Sequence, residues 1–189
     1  TGGTRQPINE LYYWKAQNGA RDIIIWYGNT QALTTLGQYE LCGRVLDVVG
    51  ELGCHFLVTL GGFKQDEVRE IPQIYCAATD METENEALSL GAKPMVGQIF
   101  GVAGLAVGLA RVKGFKGFSL LVETLGTYPD ANATRYALSA LNKFLKMDVD
   151  LTRLDAAAEK TQKILESFGL VRGLQEAKKK EAQQFRWSV

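Results

Sequence analysis

The chain has 189 residues, 46% of them hydrophobic, enough apolar surface for one globular domain to build a core without staples. Its 21 lysines and arginines balance 21 aspartates and glutamates, so it lacks the basic field of a nucleic-acid binder. Cys42, Cys54 and Cys76 form no CxxC pair and read as buried reduced thiols, the usage of a cytoplasmic protein.

The opening, TGGTRQPIN, starts at Thr1 without any period and reads as a processed or truncated start. Leu11 to Lys15 carries strand-like aromatics, Asn18-Gly19 is a turn pair, and Asp22 to Tyr27 is a second strand. The two can pair as a hairpin at the rim of a sheet. Gly28 to Gly37 is polar and loop-like. From Gln38 to Leu52 the apolar residues Leu41, Val45, Val48, Val49 and Leu52 keep helical spacing, and Gly53 ends the helix. His55 to Leu60 is the next apolar run, closed by Gly61-Gly62. Strand, loop, helix and strand make one unit, expected to close as a right-handed crossover.

Lys64 to Glu70 and Pro72 form a surface connection before a strand over Gln73 to Ala78. Thr79-Asp80 caps a helix from Met81, with Glu82 at capping-box distance from Thr79. Gly91 stops that helix, and Lys93 to Val96 is a short extended piece.

Next comes the stretch around which the chain is organised. Gly97, Gly101, Gly104 and Gly108 recur every three or four residues, as on one side of a helix. Each costs up to about 1 kcal/mol of helix propensity against alanine, so close backbone approach is the compensating reason. Arg111 and Lys113 interrupt the apolar run too early for a membrane span, and no membrane partner is expected. Phe118 to Val122 is continuously apolar, as in a strand covered on both faces. Glu123 and Thr124 stand at its carboxyl end, where open α/β sheets place ligands.

Asp130 is the N-cap of a helix to about Met147, with Tyr136, Ala137, Leu141, Phe144 and Leu145 facing inward. Leu151, Leu154, Ala158, Thr161, Leu165 and Phe168 then follow helical spacing. This layout is α/β: one domain over residues 1–147, then a helical extension over 148–189 that packs on the domain or on a neighbouring subunit. Leu151, Leu154, Leu165 and Phe168 are its interface candidates.

A ligand pocket at the strand ends would draw on Gln38, Gly61, Gly62 and Asp80, together with Gln98, Gly101, Glu123 and Thr124. Asp80 and Glu123 could converge there as paired carboxylates. Against this, packing and turns account for most of the glycines, since neither GxGxxG nor GxxxxGK[ST] is present. Asp80 reads as an N-cap, and Glu123 is either a structural hydrogen-bond acceptor or a site residue. His55 is the only histidine, which rules out a histidine-based metal site and argues against a triad. No metal or cofactor is expected, and Ser119 lacks a GxSxG setting.

Several stretches together resemble the proteasome assembly chaperone 2 family, in its archaeal and bacterial branch. They are Gly19-Ala-Arg-Asp22, Gly37-Gln-Tyr-Glu40, Thr59-Leu-Gly-Gly-Phe63, Ala77-Ala-Thr-Asp80, Gly97-Gln-Ile, Gly101-Val-Ala-Gly-Leu105 and Leu121-Val-Glu-Thr124. Their order from about Leu11 to Asp150 makes the resemblance specific. It implies a three-layer α/β/α sandwich, phosphorylase/hydrolase-like, with a mostly parallel sheet and no established enzymatic site. It also implies homo-oligomers and binding to proteasome α-subunits. Some relatives dock through a C-terminal hydrophobic-Tyr-any motif, where this chain has Trp187-Ser188-Val189. The family's initial βα segment with its glycine-rich turn has no counterpart here, which leaves a sheet edge to be covered. The function expected is a non-enzymatic assembly chaperone that self-associates. The alternative is a small-molecule binder or phosphorylase/hydrolase-like enzyme with a pocket at the strand carboxyl ends.

Overall fold

A computed structural model describes residues 6–16, 21–66, 71–126 and 129–167. The elements are, in order, β1 (Asn9–Trp14), β2 (Ile23–Gly28), α1 (Thr35–Glu51), β3 (Phe56–Lys64), β4 (Ile74–Ala78) and α2 (Met81–Ser89). There follow β5 (Lys93–Pro94), α3 (Val102–Val112), β6 (Lys116–Thr124), α4 (Ala131–Leu145) and α5 (Thr152–Ser167).

Two sheets form. β1 and β2 pair antiparallel as the expected hairpin, with Asn9 opposite Gly28 and Trp14 opposite Ile23. The turn pair Asn18-Gly19 lies outside the described residues. The other sheet has the order β3-β6-β4-β5. β3 and β6 run parallel from Phe56 opposite Lys116 to Lys64 opposite Thr124, and β5 runs parallel to β4. β4 is antiparallel to β6, so two of the three interfaces in this sheet are parallel.

The sheet is the middle of three layers. Alternation along β6 sends Phe118, Leu120 and Val122 to one face, where they meet Ala87 of α2 and Ala133, Ala137 and Ala140 of α4. Alanine at each turn of α4 lets the helix approach the strand closely, and Phe144 fills the end of that layer against Phe56 and Phe118. On the opposite face Leu46 and Val49 of α1 pack with Ala110 of α3 and Phe115, and Leu57 and Ile24 border them.

Four local expectations change. The crossover expected from β2 through α1 to β3 does not join strands of one sheet, because β2 pairs with β1. β3 does not stop at Gly61-Gly62 but continues to Lys64. These glycines make room rather than turns: a Cβ would stand 2.9 Å from Leu121 Cδ2 at Gly61 and 2.7 Å from Thr124 Cγ2 at Gly62. The cap of α2 is Asp80, which accepts from Thr83 N–H in a reciprocal capping box. Thr79 instead takes the Gly117 N–H on its hydroxyl at 3.0 Å. Finally, the four-glycine stripe is not one helical face: Gly97 precedes α3, and Gly101 is its N-cap at φ 79°.

The tightest backbone approach lies elsewhere. A Cβ at Gly117 would fall 2.0 Å from the Leu57 carbonyl oxygen, so only glycine lets β3 and β6 meet at that point. Beyond α4, whose N-cap is Asp130 as expected, α5 lies along it and Arg135 pairs with Asp155. Phe168 and Trp187-Ser188-Val189 lie outside the described residues, and Leu151 and Leu154 are half-buried. The side chain of Leu165 is likewise not among those described.

Candidate functional site

Among the described residues a groove of about 1270 Å³ lies between β2 and β3. β2 lines it from Ile23 to Trp26 and at Gly28, and all of β3 lines it from Phe56 to Lys64. Val45 and Val49 of α1 and Ala103 of α3 close one side, and Leu141 and Phe144 of α4 reach it from the other. These walls are apolar because they are continuations of the two core layers past the edge of the sheet.

Of the eight pocket candidates, Gly61, Gly62 and Gln98 line this groove. Glu123 does not: its side chain is buried at 3% exposure, where it accepts from Gln73 N–H at 3.0 Å and from the Tyr75 hydroxyl at 3.1 Å. Those bonds tie the start of β4 to the end of β6. Thr124 donates its hydroxyl to Asp130 Oδ2 at 3.0 Å, which anchors the N-cap of α4. Gln38 donates its side-chain amide to the Ala32 carbonyl. Gly101 sits against Gln31, whose Oε1 accepts from Val102 N–H at 3.4 Å.

Asp80 is at the far end of the sheet. β4 runs against β6, so the residues that follow β4 reach Gly117 rather than Glu123. At ~3.3 Å per residue, the six residues from Gly117 to Glu123 separate the two carboxylates by roughly 20 Å. They do not form an acid/base pair. The Thr83 N–H on its carboxylate holds Asp80 below the ordinary carboxyl range, as an N-cap requires.

Nor do the remaining reactive side chains make a centre. Burial pushes the Cys42 thiol up to about 11 and raises Cys76 as well, which keeps both protonated and unreactive. His55 sits edge-on to Phe115 at 5.4 Å, on the rim of the groove. Among the described residues no three His, Cys, Asp or Glu side chains converge as metal ligands would. No described helix is long and apolar enough to cross a membrane.

One surface was not anticipated. Leu33 and Leu36 before and in α1, and Val96 and Phe100 before α3, are exposed, Leu33 at 99% and Val96 at 92%. The Gln31 contact brings the two loops together. From Gly28 to Tyr39 and from Met95 to Ala110 the chain carries no charged residue. That lack of charge beside exposed leucines was the available signal, masked by reading the first loop as merely polar.

Known proteins share this architecture. PbaB of Pyrococcus furiosus, described as an archaeal proteasome activator, superimposes with a TM-score of 0.80 at 34% identity. The match covers 87% of this chain and 72% of PbaB. PbaA of the same organism, described as an archaeal homolog of proteasome-assembly chaperone, gives a TM-score of 0.72 at 24% identity over 93% of this chain and 71% of PbaA, a likeness of fold. An uncharacterized protein of Methanocaldococcus jannaschii is 31% identical over 153 residues, 78% of this chain. The chain spans 58% of that relative's length. The sequence also matches the PAC2 family over residues 1–168, and with the fold in agreement the chain belongs to the PAC2 family.

Proposed function

We propose that this chain is a non-enzymatic, proteasome assembly chaperone-like protein that self-associates and binds proteasome α-type subunits. The observation that carries the reading is the match to the PAC2 family over residues 1–168, and the likeness to PbaB, described as an archaeal proteasome activator, at 34% identity across 87% of the chain supports the proteasome link. The site chemistry agrees with it. Groups that could do acid/base or nucleophilic work are dispersed or held by structural bonds, while an uncharged surface with Leu33, Leu36, Val96 and Phe100 stands in solvent. A neutral apolar patch of this kind is the usual centre of a protein interface. The alternative, an enzyme or small-molecule binder at the strand carboxyl ends, loses its paired-carboxylate version, because the direction of β4 keeps Asp80 and Glu123 apart.

Native mass spectrometry of the protein alone and with proteasome α-subunits tests the reading. A homo-oligomer that takes up α-subunits is expected. Phe100→Glu should leave the unfolding free energy within about 0.5 kcal/mol of wild type, as surface substitutions do, yet reduce the complex at least tenfold. A chain that stays monomeric and ignores α-subunits at micromolar concentration would sink the proposal.

A further inference from the structure

A hollow of about 440 Å³ runs along α4, on the flank away from the β2–β3 groove. Ile74 of β4, Leu90 at the end of α2 and Ala140 give it an apolar base. Its polar lining comes from α4 alone: Asn132, Arg135, Tyr136, Ser139 and Lys143 follow one another along one side of the helix. Each of these five side chains can donate a hydrogen bond, two carry a positive charge, and no carboxylate is part of the lining. Among the described residues the side chains of Asn132, Tyr136, Ser139 and Lys143 hydrogen-bond to no other residue. Arg135 engages Asp155 of α5 through Nη1. A guanidinium has five N–H donors in a planar fork, so Asp155 shows that a carboxylate is accepted there and leaves room for a second.

Donors without acceptors, set beside an apolar base, select a partner rich in acceptors, negatively charged and apolar in its middle. The spacing says more. Arg135 and Lys143 lie ~12 Å apart along the axis of α4, at a rise of ~1.5 Å per residue. In an extended chain, residues four apart are separated by ~13 Å, and the residue midway between them shares their face. An acid at each end of such a segment meets Arg135 and Lys143. The apolar side chain between them rests on Ile74, Leu90 and Ala140, and peptide carbonyls accept from the Tyr136 and Ser139 hydroxyls. A small inorganic anion would use one end and leave the base bare. The volume, within the ~300–1,000 Å³ of ordinary ligand sites, suits a few residues of peptide.

We infer that this hollow on α4 binds an extended peptide segment of another protein with the pattern acid-x-apolar-x-acid. Charge complementarity sets its two ends, and the apolar base sets its centre. The inference goes beyond the proteasome reading and stands without it.

The test titrates a labelled, end-blocked pentapeptide, Asp-Ser-Leu-Ser-Asp, with the full 189-residue chain and reads fluorescence anisotropy. A Kd below about 1 mM is expected. Arg135→Gln and Lys143→Gln should each weaken binding by about threefold or more, the scale of one exposed ion pair. Lys143→Gln breaks no described contact within the chain, so it decides the matter even where the Arg135 variant loses its packing with α5. Asp155→Asn should tighten binding about twofold by freeing the guanidinium, which a purely structural role for Arg135 would not produce. A peptide of the same composition with its acids adjacent, Asp-Asp-Ser-Leu-Ser, should bind about threefold or more weakly, as should Asn-Ser-Leu-Ser-Asn. Absence of binding, indifference to Lys143→Gln, or equal affinity for the adjacent-acid peptide would overturn the inference. So would inorganic phosphate that displaces the peptide at equal concentration and constant ionic strength, since the hollow would then be a simple anion site.

Discussion

β3 and β6 lie side by side in parallel register, and their fates differ. From Gly117 to Thr124 every residue of β6 is buried, whereas no residue of β3 is. The strands have equal length and similar apolar content, FLVTLGGFK against KGFSLLVET. What separates them is position: among the described residues β6 has a strand on each side, and β3 has one. Hydrophobicity makes a segment eligible for the core, but neighbours decide whether it becomes core.

The sharpest way to break this contrast is at the one point where the strands touch most closely. Gly117→Ala would drive a Cβ into the Leu57 carbonyl oxygen at 2.0 Å, backbone against backbone, with no side chain free to yield. The loss should exceed the ~1–3 kcal/mol typical of overpacking, and urea unfolding would show it as a lost or greatly lowered midpoint. Next in size are two phenylalanines that touch each other, Phe118 in β6 and Phe56 in β3. Phe118→Ala should cost about 3–5 kcal/mol as a sealed core residue. Phe56→Ala should cost roughly half of that, since its ring is only half-buried. Equal losses in the same denaturation experiment would mean that the β3 edge is covered in solution.

A smaller effect is expected where β6 hands over to α4. Asp130→Ala removes the acceptor for Ala133 N–H and for the Thr124 hydroxyl, at a cost of about 1 kcal/mol. Differential scanning calorimetry against Asp130→Asn separates the cap from the charge. The smallest effect concerns pH. The Asp80 carboxyl is lowered in the folded chain, first by the Thr83 N–H, so its stabilising contribution is full above the unfolded value of 3.8. It is lost as pH falls through the still lower folded value. Thermal melts between about pH 5 and pH 2 should therefore decline less steeply for Asp80→Asn than for wild type.

Much of the fold was legible in the residues. The hairpin, the helix over Gln38 to Leu52, the Asp130 cap and the buried run ending at Glu123 all follow from periodicity and capping chemistry, which act locally. The capping box was misplaced by one residue because Thr79 and Asp80 are both good caps, and only the distant Gly117 N–H decides which is used. Gly61-Gly62 read as a strand end because glycine breaks strands more often than it relieves a contact with a neighbouring one. The direction of β4 had no local signal, and that direction dissolves the Asp80–Glu123 pairing. Nor could spacing show that β2 and β3 would stand in separate sheets, since edge pairing is a property of the assembled sheet.

The strand order also sets a timetable for folding. β3 and β4 precede β6 in the chain, yet each reaches the sheet through β6: Phe56 waits for Lys116, 60 residues later, and Ile74 waits for Val122, 48 later. During synthesis the hairpin of β1 with β2 and the helix α1 can form from nearby residues, while β3 and β4 have no shared strand to bind. Non-local pairing of this kind folds slowly and leaves apolar strands exposed meanwhile. The decisive event on the ribosome is thus the emergence of Thr124, and a pause in translation before that residue should favour aggregation of the nascent chain.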